Sequence, residues 1–191
     1  MSSLKDLRYM TLALNLGQRG QGNVWPNPAV GCVIVNNSRI VGRGWTQPGG
    51  RPHAEAMALG QAGAQSKNAT AYVTLEPCAH HGATSPCAEA FIAAGISRCV
   101  VAVIDPDPRV SGAGIAEMEA AGIQVSLGCM TEQATAAHRG FFNRVVKGRP
   151  RVTLKLAMSV DGRIATHAGE SKWITGMEAV SYTHLTLPTS T

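Results

Sequence analysis

Thirteen positions from Leu75 to Cys87 hold two of the chain's five cysteines, two adjacent histidines and two prolines. A strand-like run, Ala69 to Leu75, leads into this segment, and a helix-like run, Cys87 to Ala94, leaves it. So many soft ligands between a strand and a helix restrict the fold, because they must gather at one strand end. Upstream, the breaker-rich Gly49-Gly50-Arg51-Pro52 gives way to another helix-like run that opens with His53-Ala54-Glu55. His53, Cys78 and Cys87 are ligands of the kind zinc takes, and Glu55 is a carboxylate left over. A catalytic zinc has three protein ligands and keeps its fourth position for water.

Position supports the same grouping. Cys87 at a helix start is placed where the dipole favours a thiolate, and Cys78 follows Pro77 at a strand end. His53 and Glu55 stand two apart at a helix start, where one can turn to the metal and the other to its water. Lone cysteines are ordinarily small buried hydrophobes. Cys32 and Cys99 lie in apolar strand-like runs and Cys129 follows Gly128, so these three are read as structural.

His53-Ala54-Glu55 and Pro77-Cys78 match the H-x-E and P-C elements of the zinc nucleobase deaminase signature, with the second cysteine after eight residues instead of two. This longer form, with His80-His81-Gly82 inside it, resembles the deaminase half of the bifunctional riboflavin-biosynthesis deaminase/reductase family. The resemblance runs from about residue 4 to 179, through Asn27-Pro28, Asp105-Pro106-Asp107-Pro108 and Gly169-Glu170-Ser171-Lys172-Trp173-Ile174-Thr175. It implies a three-layer α/β/α cytidine-deaminase fold, bound Zn2+, and hydrolytic deamination of a 2,5-diamino-6-ribosylamino-pyrimidinone 5′-phosphate. Glu55 is then the proton shuttle, Asn27 and His80 orient the base, and Asp105 and Asp107 reach the ribose side. His81 is read as support beside the ligands. On residues alone, Asn27 between prolines reads as turn chemistry; the resemblance turns it toward the substrate. In the family's second domain, the positions of Ala157 and Trp173 touch NADPH and that of Ser171 touches the sugar phosphate. Three departures stand out: Ala83 and Ala113 replace residues often basic in the family, and Thr46 stands where many members have His.

The remaining pattern is that of an α/β chain. Ser3 to Leu16 has a helical apolar period with a serine cap. Ala29 to Val35 and Arg39 to Trp45, joined by Asn36-Asn37-Ser38, read as an antiparallel hairpin. A helix from His53 to Ala64 comes next. Beyond Ala94, the expected order is a doubly buried strand (Ser97 to Ile104), a Pro/Gly loop (Asp105 to Gly114) and a helix (Ile115 to Ala121). A short strand (Ile123 to Leu127) and one long helix (Glu132 to Val146) complete it. This predicts a mixed sheet with helices on both faces. Residues 1–147 are expected to form the zinc-dependent deaminase domain and 148–150 a linker. Residues 151–179 are expected to open a truncated reductase domain, with a strand at Arg151 to Met158 and a turn at Asp161-Gly162. Residues 180–191 fit no continuation and read as a disordered or foreign tail.

Composition excludes more than it selects. The 191 residues are 45% apolar, enough for a core, and the formal net charge is +5. The late basic residues, from Arg139 to Lys172, are spread over several elements and read as a solvated face, so no nucleic-acid partner is expected. No run approaches a membrane span, and Lys5, Asp6 and Arg8 do not suit a signal peptide. An odd, unevenly spaced set of cysteines argues for a reducing cytoplasm. The expected partner is a phosphorylated pyrimidine, and a homo-oligomer stays open because the family tends to assemble. Two other readings remain. One is a different zinc deaminase, acting on tRNA adenosine, guanine or deoxycytidylate. The other is a non-enzymatic zinc module closed by His80 or His81.

Overall fold

The structure, a computed structural model, describes residues 3–80, 85–108, 110–154 and 156–170. The chain divides after Pro150 into two units. In the first unit, helix α1 (Leu4–Gln18) starts at a capping box: the Asp6 amide donates to Ser3 Oγ, and the Ser3 amide donates back to the Asp6 carboxylate. Strands β1 (Gly31–Asn36) and β2 (Arg39–Trp45) form the expected hairpin, with Asn37 and Ser38 at positive φ in its turn. Helix α2 (Ala54–Ala62), strand β3 (Thr70–Val73), helix α3 (Cys87–Ala93) and strand β4 (Arg98–Val101) follow. Helix α4 (Ala113–Ala120), strand β5 (Gln124–Leu127) and helices α5 (Thr131–Ala137) and α6 (Arg139–Lys147) complete the unit.

The five strands form one sheet in the order β2-β1-β3-β4-β5. β1 is antiparallel to both its neighbours, whereas β3, β4 and β5 run parallel. Side chains alternate across the sheet with period two. Cys32, Ile34, Ala71, Val73, Cys99 and Val101 face one core, against Ala58 of α2, Phe91 of α3 and Met118 of α4. Val33, Val35, Tyr72 and Val100 face the other, against Met10 and Ala13 of α1 and Ala134 of α5. A mixed sheet between two helical layers is the expected fold class. Cys32, Cys99 and Cys129 are buried in it.

Two close approaches set where α2 lies. A Cβ on Gly42 would stand 2.2 Å from the Ala58 carbonyl oxygen, and one on Gly44 would stand 2.1 Å from that of Ala54. With hydrogen at these alternate positions of β2, the alanine-rich backbone of α2 rests directly on the strand. Its first turn, with His53 and Glu55, is positioned by that contact.

Two elements differ from expectation. The single helix over Glu132 to Val146 is broken at His138 (φ −91°, ψ 6°) into α5 and α6. The His138 ring turns inward, with Nε2 3.2 Å from Thr74 Oγ1 and the ring stacked on Phe142. Burying that ring redirects the chain, and helical periodicity does not register it. In the second unit, the described residues from Arg151 to Met158 form no strand. Val152 and Leu154 are exposed, at 84% and 77%. An apolar alternation becomes a strand only beside a partner ladder. The turn at Asp161-Gly162 does form, with the Gly162 amide donating to the Ser159 carbonyl at 2.9 Å.

Candidate metal centre

The parallel strands end on one side of the sheet, and their carboxyl ends carry the site, as in other α/β sheets. Beyond β3 the chain continues through Thr74, Leu75, Glu76 and Pro77 to Cys78, all but Cys78 buried. Cys87 opens α3, and His53 is the residue that caps α2. The ligand atoms of His53, Cys78 and Cys87 lie within 4.8 Å of one another, the one such cluster among the described residues. His53 Nδ1 is 3.3 Å from Cys87 Sγ and 3.8 Å from Cys78 Sγ. Tetrahedral zinc with bonds of about 2.3 Å to sulfur and about 2.05 Å to nitrogen separates S and N by about 3.6 Å. The two observed nitrogen–sulfur distances bracket that value, so the donor set suits such an ion.

The electrostatics are those of a tight acidic cluster. Hydrogen bonding from Cys87 brings the Cys78 thiol down to about 4 against the opposing effect of burial, and His53 adds to it. Cys87 is pushed up, first by sharing its proton with Cys78 and then by burial. Sequence position suggested the thiolate at Cys87, at the helix start. The Cys87 amide points at Cys78 Sγ, 3.4 Å away, so the helix start also favours a thiolate at Cys78. His53 is raised, chiefly by its hydrogen bond to Cys78. Glu55 is 3% exposed, and burial lifts its carboxyl to about 7, with His53 pulling the other way. Its carboxylate accepts a hydrogen bond from Cys87 and so stands beside the ligands.

The other expected site residues fall into three groups. Asn27 joins the cluster: its Nδ2 donates to the Gly50 carbonyl at 2.7 Å and lies 3.4 Å from His53 Nε2. His80 is half-buried, and its Nδ1 is buried with no hydrogen-bond partner among the described residues. Asp105 and Asp107 are buried in the loop after β4, where the Asp107 amide donates to Asp105 Oδ1 at 2.9 Å. Burial raises Asp105 to about 6, with Asp107 and Glu76 adding repulsion. Ala157 is exposed in the second unit. Ser171 and Trp173, like His81 and Ala83, lie outside the described residues. Thr46 is buried, with its Oγ1 accepting from the Val30 amide at 3.0 Å, and Ala113 is exposed at the start of α4.

Sequence reasoning missed Glu76. It is 4% exposed, and its carboxylate accepts the amides of Asp105 (3.3 Å), Gly112 (2.9 Å), Gly114 (3.1 Å) and Ile115 (3.4 Å). The available signal was an acidic residue ending a buried strand-like run directly before Pro77-Cys78.

A mixed sheet between helical layers, with one His and two Cys gathered at its strand ends beside a buried Glu, defines the zinc-binding cytidine deaminase class. Residues 3–103 match the family described as the cytidine and deoxycytidylate deaminase zinc-binding region, and residues 150–190 match the RibD C-terminal domain. The riboflavin biosynthesis protein RibD of Aquifex aeolicus is 48% identical over 180 residues, which is 94% of this chain and 51% of that protein. The diaminohydroxyphosphoribosylamino-pyrimidine deaminase of Buchnera aphidicola (subsp. Schizaphis graminum) is 46% identical over 147 residues, 77% of this chain and 100% of that protein. A solved Thermotoga maritima diaminohydroxyphosphoribosylaminopyrimidine deaminase/reductase superposes with a TM-score of 0.87 at 40% identity, covering 95% of this chain and 52% of that one. The chain belongs to the RibD family: it carries the deaminase part and a short stretch of the reductase part. It spans about half the length of the RibD relatives it matches. Among the described residues, no helix is long and apolar enough to cross a membrane.

Proposed function

We propose that this chain hydrolyses the exocyclic amine of 2,5-diamino-6-(5-phosphoribosylamino)pyrimidin-4(3H)-one, releasing ammonia, as a step of riboflavin biosynthesis. The observation that carries the reading is the triangle of His53 Nδ1, Cys78 Sγ and Cys87 Sγ at zinc-fitting distances, with Glu55 buried against it. A relative matched over its whole length is named for the same pyrimidine.

His53, Cys78 and Cys87 would hold Zn2+, which when bound would supply a water acidified to a pKa of about 7. Glu55 takes one proton from the attacking water to the ring nitrogen and carries the second, from the hydroxyl so added, to the departing amine. Water and the amine thus become a carbonyl and ammonia, and the shuttle contributes about 10²–10⁴-fold. Glu55 suits this work because its dry environment holds the carboxyl near neutrality, where it can both accept and return a proton. Asn27, tied to Gly50 beside the ligand His53, orients the base, and the unpartnered His80 Nδ1 supplies a further polar contact. Asp105 and Asp107 form the ribose wall. The five free cysteines suit a reducing cytoplasm. Ala157 and Trp173 are proposed to contact NADPH, and Ser171 the sugar phosphate, within the family's second domain.

The test is a substrate panel on zinc-loaded protein. Ammonia release from the ribosylamino-pyrimidine phosphate, with none from deoxycytidylate, guanine or tRNA adenosine, supports the reading. The reverse preference refutes it. Zinc-edge absorption checks the competing view of a closed structural site, which requires four protein ligands and no water.

A further inference from the structure

We propose that Glu76 is a positioning residue that fixes the Asp105–Gly114 loop, as the substrate-side wall of the pocket, to the strand end bearing the metal ligand Cys78. This rests on the deaminase reading above. Three features of the structure support it.

The first is geometric. Glu76 stands two residues before Cys78, and its own amide donates to the Val103 carbonyl at 3.0 Å, which extends the β3–β4 pairing past the last ladder residues. From that fixed backbone its carboxylate reaches both ends of the loop. Oε2 accepts from Asp105 at the start and Gly112 near the end, and Oε1 accepts from Gly114 and Ile115 in the first turn of α4. One side chain therefore closes the loop onto the ligand-bearing segment.

The second is steric. A Cβ at Gly114 would lie 1.9 Å from the Pro77 carbonyl oxygen, so α4 begins in backbone contact with the residue just before Cys78. Only glycine permits that approach. It brings the Gly114 amide within reach of Glu76.

The third is electrostatic. Glu76 is placed where it repels Asp105, and its loop partners are backbone amides. A buried carboxylate beside another carboxylate is a poor choice for stability alone. It suits a loop whose acidic groups must be held at a set distance from the metal. Four amides converging on one carboxylate from both ends of the loop give that rigidity through their number and their spread along the chain.

Glu76→Gln keeps volume and polarity but turns one acceptor atom into a donor facing N–H groups. The ribose and phosphate are remote from the reacting carbon, so loosening the loop weakens binding of substrate and transition state alike. The expected result is KM raised about tenfold or more, kcat within about threefold of the unaltered chain, and zinc still at one per chain. A role in stability alone would lower the melting temperature and leave the KM of the folded protein unchanged. An unchanged KM overturns the proposal, as does loss of zinc, a fall confined to kcat, or a variant that cannot be obtained folded. Failure of the deaminase reading is visible separately, as no turnover by the unaltered chain. In that event amide exchange decides the structural claim: faster exchange at Gly112 and Gly114 in Glu76→Gln upholds the tie, and unaltered exchange rejects it.

Discussion

Gly44→Ala is a single-methyl perturbation of the metal centre made from behind. The added Cβ would meet the Ala54 carbonyl oxygen at 2.1 Å, the Ala58 amide nitrogen at 2.7 Å and the Met57 Cβ at 2.8 Å, where ordinary contact begins at 3.4 Å. Two of these three neighbours are backbone atoms of α2, so no side chain can swing away to relieve the clash. The helix start must retreat from β2 by about an ångström, and overpacking of this kind costs about 1–3 kcal/mol. Ala54 lies between His53 and Glu55, so the displacement passes directly to a ligand and to the proton shuttle. A misplacement of about 1 Å can cost about 10²-fold in rate. Gly60→Ala serves as the control on the same helix. A Cβ there meets nothing within 4 Å, and alanine should stabilise α2 by about 0.5–1 kcal/mol. Urea unfolding, zinc titration and ammonia release on both variants make the assay. If Gly44→Ala retains wild-type stability, zinc affinity and turnover, the argument that β2 glycines seat the catalytic helix is wrong.

Two other outcomes are expected. The buried Asp6 carboxylate accepts from Tyr72, from Ser3 and from both Arg98 guanidinium nitrogens (2.7 and 3.2 Å), and the Arg98 contact holds its pKa well below the usual carboxylate range. Asp6→Asn should cost about 2–3 kcal/mol, below the range for a fully buried pair because Arg98 is partly exposed. A depressed folded pKa stabilises above the unfolded value of about 3.9 and stops doing so as pH falls below it. The gap between Asp6→Asn and the unaltered chain should therefore shrink from pH 5 toward pH 2, and a constant gap in denaturant melts would contradict the assignment. Among the cysteines, Cys78→Ser and Cys87→Ser should lose bound zinc, whereas Cys32→Ser and Cys99→Ser should keep one ion per chain; elemental analysis reads this directly.

Much of the molecule was legible from sequence because its patterns are local. The hairpin followed from two β-branched runs around Asn36-Asn37-Ser38, and the N-terminal helix from its period and a serine cap at Ser2 or Ser3, of which the structure uses Ser3. The grouping of His53, Cys78 and Cys87 followed from ligand type and spacing. Other features depend on distant partners. The break at His138 depends on Thr74, sixty-four positions away in sequence. The role of Glu76 depends on amides contributed by a later loop, and no periodicity reports a carboxylate that serves backbone donors. That the Cys87 amide also reaches Cys78 Sγ is likewise decided by the folded geometry. Among the described residues from Arg151 to Met158 the expected strand does not form, since alternation gives a strand's faces but not its neighbour. Gly42 and Gly44 were read only as part of a strand, yet their lack of side chains is what seats the helix carrying the site.

The most direct test of the central claim is ammonia release from the ribosylamino-pyrimidine phosphate by zinc-loaded Glu55→Gln beside the unaltered chain. Glutamine keeps the size and polarity of the side chain but cannot accept the water's proton. The account predicts one zinc per chain in both proteins and a kcat at least about 10²-fold lower in the variant. Undiminished turnover would contradict the proton-shuttle role of Glu55, and turnover lost together with the zinc would make Glu55 a structural support of the metal centre.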